Sequence, residues 1–340
     1  MFLFKLQENL NLYNFSHVEI KTLVVNSQQL IDNPLKDSVL RNIPILIPKK
    51  PPENLSVVFI LSGFTGNGGK YFNQKSYEEN DVQILANAIK AKKAPSALYV
   101  FVDAWTFWGG SQFINSVGCG NYEDYIMKEL VPAVKELFPV SKNPNQWLVT
   151  GGSSGGYGAL HLASKYPHIF GICAAIAPDC FFQMSLLPEI YSAWPQIQKL
   201  GGVKGVKKAL LEGKILSRRD SHTILNAIGM GLCYAGKKNG EIDWPINNDG
   251  ELHTDKWKKW LNHDPLHFLK KRKKSIKKLK HIYLDVGIYD QFHLQYGSRQ
   301  IYKWLKNNGI NVNYNEFKGN HFDIGDRRIY LWKWLNDNIS

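Results

Sequence analysis

Short strand-like runs, most of them apolar, return along this chain at intervals filled by helical stretches, and that rhythm constrains its fold more than any other feature. The runs are Leu55-Ser-Val-Val-Phe-Ile-Leu61, Ala97-Leu-Tyr-Val-Phe-Val102, Gln146-Trp-Leu-Val-Thr150, Ile172-Cys-Ala-Ala-Ile-Ala177, Lys280-His-Ile-Tyr-Leu-Asp-Val286 and 312–317. Each has strand length, and those at 55–61, 97–102 and 172–177 lack polar alternation, the pattern of strands covered on both faces. Between them, 82–91, 122–138, 157–165, 293–307 and 326–338 read as helices, with Glu123 and Asp124 at the start of the longest. Strands separated by helices imply right-handed crossovers and a mostly parallel sheet, so the expected class is α/β. Upstream, Val18-Glu-Ile-Lys-Thr-Leu-Val-Val25 and Ile43-Pro-Ile-Leu-Ile47 suit an antiparallel edge, and Pro48-Lys-Lys-Pro-Pro52 a connector.

The rhythm lapses once. Residues 181–278 hold helical pieces, aromatic residues and loops but no convincing strand. The expected organisation is therefore one α/β core, residues 1–180 and 279–340, carrying a helical cap or lid at 181–278. A chain of 340 residues with 44% hydrophobic and 21% charged residues can bury such a core.

Composition narrows the function classes. No apolar run reaches the roughly 18 residues of a membrane span, and the N-terminal residues lack the pattern of a signal peptide. Cys119, Cys173, Cys180 and Cys233 show no paired spacing and no clustering with histidines, so they read as core thiols, with no metal site. Cytoplasmic location is the resulting expectation. The net charge of +13 is concentrated locally, since the segment 270–280 carries eight lysines and arginines in eleven residues. Without interleaved aromatics or a nucleic-acid motif it reads as a solvated helix face, and no nucleic-acid partner is expected.

Chemistry enters at Gly152-Ser153-Ser154-Gly155-Gly156, which fits G-x-S-x-G between a predicted strand and a predicted helix. A serine on such a turn is pushed out of the sheet with its hydroxyl exposed above the strand ends. The positive end of the following helix favours an anionic intermediate there. This alignment makes Ser154 the expected nucleophile. A serine hydroxyl needs a base within hydrogen-bond reach and a carboxylate to orient that base. Asp290, just beyond strand 280–286, and His321, just beyond strand 312–317, emerge at the same sheet edge in the order nucleophile, acid, histidine. Rivals are placed less well. Asp285 lies within a strand, His293 begins a helix, His161 and His168 follow the serine on the far side of its turn, and His263-Asp264 suits a helix terminus. Two backbone donors should hold the oxyanion: the N–H of Gly155, after the expected nucleophile, and that of Phe64, in the glycine-rich loop 62–69. That loop ends Gly69-Lys70-Tyr71 and so lacks the G-K-[ST] of a nucleotide-binding P-loop.

Several motifs in order then carry a family resemblance: Asn33-Pro-Leu-Lys-Asp37, Leu61-Ser-Gly-Phe-Thr65, Gly120-Asn-Tyr-Glu-Asp-Tyr125, Gly152-Ser-Ser-Gly-Gly-Tyr-Gly-Ala-Leu160, Trp260-Leu-Asn-His-Asp-Pro265, Asp290-Gln-Phe292 and His321. With them the chain resembles the esterase D-type branch of the α/β-hydrolases, which includes S-formylglutathione hydrolases, feruloyl esterases, enterochelin-esterase-like enzymes and antigen 85 mycolyltransferases. The look is nearest to the enterochelin-esterase-like subgroup. The resemblance implies the α/β-hydrolase fold and a serine esterase working through an acyl-enzyme with Ser154, Asp290 and His321, on a small-molecule ester and without metal or organic cofactor. Two departures are Gly319-Asn320, where a glycine pair is usual before the histidine, and Gln291, where a glutamate is common. Gly155 stands where formylglutathione hydrolases often carry methionine, so that narrow activity is not implied. Trp105, Gln112, Phe181 and Phe182 follow strand ends and are the candidate pocket residues. Acyl transfer of the antigen 85 type and a non-catalytic binding protein on the same fold remain the alternatives, as does a homo-oligomer. A siderophore ester is one conceivable substrate.

Overall fold

The computed structural model describes residues 3–8, 14–74 and 76–339. Its centre is a nine-stranded sheet. In chain order the strands are β1 (Leu3–Glu8), β2 (Val18–Asn26), β3 (Leu40–Pro48), β4 (Val57–Leu61), β5 (Leu98–Phe101), β6 (Trp147–Gly152), β7 (Ile172–Ile176), β8 (His281–Gly287) and β9 (Asn313–Phe317). Across the sheet they run β1-β2-β3-β5-β4-β6-β7-β8-β9. The pairings β1–β2, β2–β3 and β3–β5 are antiparallel, and every pairing from β5–β4 to β8–β9 is parallel. The expected antiparallel edge thus has three strands rather than two.

Period-two alternation gives the parallel strands β4 to β8 two buried faces, whereas the edge strand β9 is only partly covered. In β4, Val57, Phe59 and Leu61 belong to one core, while Val58 and Ile60 belong to the other. The smaller core is sealed by α1 (Asp81–Lys90) and, at the other end of the chain, α5 (Arg328–Asn336), through Val82, Leu85, Leu331 and Trp332. The larger core lies under α2 (Val131–Leu137), α3 (Ser154–Lys165) and α4 (Leu294–Asn307). The helical stretch before α2 is wider than predicted, since Tyr125–Leu130 forms a π-helix. Pro132, two residues beyond it, has no N–H with which to continue the α-helical ladder.

Residues 181–278 add no strand to the sheet. They form helices at Phe182–Ser185, Leu187–Lys199, Gly202–Leu211, Ser221–Ala235, Thr254–Leu261, Pro265–Lys271 and Lys273–Ile276. Their apolar faces, including Ile190, Ile197, Ile228 and Trp260, merge with the larger core. Lys270, Lys271, Lys273, Lys274, Lys277 and Lys278 are solvent-exposed. Arg272 turns inward instead, donating to the carbonyl of His161 (3.1 Å) and the hydroxyl of Ser164 (3.1 Å). All four cysteines are buried and free, with the Cys119 and Cys233 sulfurs 3.4 Å apart. Among the described residues no helix is long and apolar enough to cross a membrane.

Candidate active site

Parallel strands deliver their C-terminal ends to one edge of a sheet, and five of them converge here on one cavity. Strand β4 leads into Gly63-Phe64-Thr65, β6 into Ser153, β7 into Asp179, β8 into the turn bearing Asp290, and β9 into His321. The cavity measures about 310 Å³. The helices of 181–278 supply its other wall, with Phe182, Glu189, His222, Asn226 and Tyr234 among the lining residues.

Ser153 sits immediately after β6 with φ 56° and ψ −125°, a backbone region that costs a non-glycine residue about 1–3 kcal/mol. The turn bears that strain because Ser153 N–H is pinned to the Ile176 carbonyl (2.9 Å) while the Ser153 carbonyl accepts from Tyr157 N–H in the first turn of α3 (2.9 Å). The strained turn lifts the Ser153 hydroxyl to 2.9 Å from His321 Nε2. On the other side of the ring, His321 Nδ1 lies 2.8 Å from Asp290 Oδ2. The second Asp290 oxygen accepts from the Phe292 N–H (2.9 Å) and, at longer range, the Leu294 N–H (3.5 Å). Both the Asp290 and His321 side chains are nearly closed to solvent, at 0% and 10% exposure.

This geometry corrects the serine assignment. G-x-S-x-G can be read in two overlapping registers, and the structure selects Gly151-Gly152-Ser153-Ser154-Gly155. Ser154 is the first residue of α3 and its side chain is fully buried. Its hydroxyl donates to Asp179 Oδ2 (2.7 Å) and accepts from Gln112 Nε2 (2.8 Å). Gly155 is corrected with it, because the N–H following Ser153 belongs to Ser154. Gly155 is needed for packing: a Cβ there would fall 2.2 Å from the Leu61 carbonyl oxygen, so α3 could not close on β4. The first N–H groups of a helix have no partners within it, so the start of α3 presents free donors beside Ser153.

The other expectations divide. Asp290 and His321 stand together as read from chain order, and Phe64 and Phe182 line the cavity. Trp105, Gln112 and Phe181 do not. Trp105 lies on a short ribbon with its side chain 43% exposed, and its carbonyl accepts from Arg41 (2.8 Å). Gln112 is fully buried behind Ser154. Phe181 leads into the helix Phe182–Ser185, and its N–H donates to Asp264 Oδ1 (3.1 Å). The rival acids and bases have other partners. Asp285 is buried in β8 against Arg327 (2.9 Å) and Tyr283 (2.9 Å). His161 pairs with Glu123 (2.7 Å), His263 stacks on Tyr234, Asp264 caps the helix Pro265–Lys271, and His293 precedes α4. His168 is exposed.

The two sequence departures become intelligible. Gln291 Oε1 accepts the backbone N–H of His321 (2.9 Å), a task for which an amide oxygen suffices. Asn320 caps the 3₁₀ turn His321–Gly325 by accepting from Phe322 N–H (2.8 Å).

Sequence reasoning passed over the pocket's own titratable groups. Asp179 accepts from the Ser154 hydroxyl (2.7 Å), its other oxygen lies 3.2 Å from the Ser153 hydroxyl, and burial raises its pKa. Burial also pushes the Glu189 carboxyl up to about 7, although Asn226 donates to it. His222 is held below the usual histidine range by burial and by the nearby His321. Position at a strand's C-terminal end was the signal available for Asp179, since it follows β7 by three residues.

A mostly parallel sheet flanked by helices, with a half-buried serine on the strand-to-helix turn and a histidine and a carboxylate on later loops, defines an α/β-hydrolase. The sequence pattern of the esterase family, described as "Putative esterase", matches residues 40–323, and the chain belongs to that family. It is a hydrolase of ester bonds. The chain is 24% identical over 308 residues to an acetyl esterase of Caldicellulosiruptor saccharolyticus, covering 88% of this chain and 92% of that protein. It is 29% identical over 143 residues to an S-formylglutathione hydrolase of Bos taurus, a match spanning 40% of this chain and only half (50%) of that relative. A ferulic acid esterase structure superimposes with a TM-score of 0.61 over 96% of this chain and 100% of its own, at 13% identity, which is a likeness of fold. The fold and family expected from the motifs are borne out.

Proposed function

We propose that the protein is a serine esterase that forms an acyl-enzyme on Ser153, with His321 as base and Asp290 as its orienting acid. The observation that carries this reading is the unbroken line from Ser153 Oγ to His321 Nε2 (2.9 Å) and from His321 Nδ1 to Asp290 Oδ2 (2.8 Å). His321 takes the Ser153 proton as the oxygen attacks the ester carbonyl, and Asp290 stabilises the imidazolium that forms. The Ser154 and Phe64 N–H groups receive the oxyanion, a contribution of about 3–4 kcal/mol for a single donor in comparable sites. The alcohol leaves with the proton from His321. Water, deprotonated by the same imidazole, then attacks the acyl-enzyme, and collapse releases the acid and restores Ser153. Residues 181–278 act as a cap whose helices complete the cavity wall.

At about 310 Å³ the cavity lies at the small end of ligand pockets, which favours short acyl groups. The test is hydrolysis of p-nitrophenyl acetate, butyrate and octanoate by wild type, Ser153→Ala and Ser154→Ala. Acetate and butyrate should be preferred over octanoate. Ser153→Ala should lose activity by at least ~10⁴-fold, given the roughly 10⁶-fold effect of removing such a nucleophile. Ser154→Ala retains its backbone donor and should keep measurable activity. Full activity in Ser153→Ala would overturn the assignment.

A further inference from the structure

Asp179 is not explained by the Ser153–His321–Asp290 line, yet its carboxyl lies 3.2 Å from the Ser153 hydroxyl and faces the cavity. A carboxylate even half-withdrawn from solvent, as Asp179 is, ordinarily finds a cation or several donors. Here, among the described residues, Ser154 donates to one of its oxygens, the Ser153 hydroxyl lies 3.2 Å from the other, and no ion pair with lysine or arginine is found. Its remaining acceptor capacity points at whatever occupies the cavity. The carboxyl is also fixed in place: Gln112 Nε2 donates to Ser154 Oγ, which donates to Asp179 Oδ2. That chain of two side chains explains why the second serine of the motif is fully buried and why Gln112 lies behind it.

Consider an ester poised for attack. Its carbonyl carbon lies about 3–3.5 Å from the nucleophilic oxygen. A substituent on the carbon next to that carbonyl is two bonds further on, within reach of an acceptor that itself lies 3.2 Å from Ser153 Oγ. We infer that Asp179, oriented by Ser154, sets acyl specificity by accepting a hydrogen bond from a hydroxyl or ammonium group on the carbon adjacent to the scissile carbonyl. Glu189, on the cap side of the same cavity, adds a second carboxyl within electrostatic reach of Asp179 and reinforces the preference for a donor over an anion. In this scheme Ser154 is a positioning residue that acts through Asp179.

The inference rests on Ser153 being the nucleophile, and the experiment separates the two. The substrates are the near-isosteric p-nitrophenyl esters of propionate, lactate and alanine, assayed with wild type, Asp179→Asn, Asp179→Ala and Ser154→Ala. Each kcat/KM is divided by the ester's rate of hydroxide hydrolysis to remove intrinsic reactivity. Wild type should favour the lactyl or the alanyl ester over the propionyl ester by at least ~10-fold, the effect of one hydrogen bond to a charged group. Asp179→Ala should bring that ratio to within threefold of unity, and Ser154→Ala should lower it partway. Asp179→Asn keeps an acceptor but no charge, so retained lactyl preference with lost alanyl preference marks the ammonium as the charge-dependent ligand. A wild-type ratio near one, or a ratio unchanged in Asp179→Ala, overturns the inference. Unchanged hydrolysis of all three esters by Ser153→Ala would instead overturn the underlying reading of the nucleophile.

Discussion

Replacing Asp290 by asparagine should leave the fold intact and nearly abolish turnover, for a reason visible in the hydrogen bonds. One Asp290 oxygen accepts backbone N–H groups from Phe292 (2.9 Å) and Leu294 (3.5 Å), while the other faces His321 Nδ1 (2.8 Å). An asparagine must turn its carbonyl oxygen to the backbone donors, since its NH2 group would leave them unpaired. The NH2 group then faces His321 Nδ1 and donates to it. That forces the ring proton onto Nε2, the nitrogen that must accept from Ser153 (2.9 Å). The imidazolium also loses its carboxylate. In serine hydrolases with this arrangement the wrong tautomer lowers kcat by roughly 10⁴, equivalent to about 5.5 kcal/mol of barrier. Because both backbone donors stay satisfied, thermal unfolding should move by no more than ~1 kcal/mol equivalent. Steady-state hydrolysis of p-nitrophenyl acetate, with melting temperature measured alongside, checks both halves. A fall in kcat of less than tenfold with an unchanged melt would refute the tautomer argument. So would an activity loss explained wholly by unfolding.

The remaining predictions concern the pocket wall and the turn. Glu189 ionises at about 7 in the fold against 4.5 as an ordinary side chain, so its burial opposes folding increasingly as pH rises between those values. The shift corresponds to a ceiling of about 3 kcal/mol. With solvent admitted through the cavity, Glu189→Gln should stabilise the protein by about 1–2 kcal/mol at pH 8 and by nothing near pH 4.5, as urea unfolding at the two pH values would show. Equal stability change at both would exclude this origin. Gly155→Ala places a methyl group 2.2 Å from the Leu61 carbonyl oxygen, against backbone that cannot swing aside, and should cost several kcal/mol. Soluble protein with a wild-type melt would show that α3 does not press on β4 as described.

The central parallel strands were legible because they are buried on both faces, so apolar runs such as 55–61 and 172–177 announce them without any partner in view. Asp290 and His321 were legible because loops after successive parallel strands must emerge at one edge. The serine was not, because Gly151-Gly152-Ser153-Ser154-Gly155-Gly156 satisfies the motif in two registers and only backbone geometry separates them. Predicting the strand to stop at Thr150 left room for the wrong register, whereas β6 runs to Gly152 and puts Ser153 at the turn. Trp105 and Phe181 were misjudged for a related reason. Following a strand end brings a residue to the correct edge, but the direction of its side chain depends on loop geometry that local sequence does not encode. Asp179 escaped notice because its meaning lies in two hydroxyls contributed by another strand-to-helix turn.

Which hydroxyl reacts is the central question for this site. A fluorophosphonate probe transfers its phosphonyl group to an activated serine oxygen, forming an O–P bond and expelling fluoride. The native protein should therefore be labelled once, and peptide fragmentation should locate the adduct on Ser153, with labelling lost in His321→Ala. An adduct on Ser154, or undiminished labelling of Ser153→Ala, would contradict the line from Ser153 through His321 to Asp290.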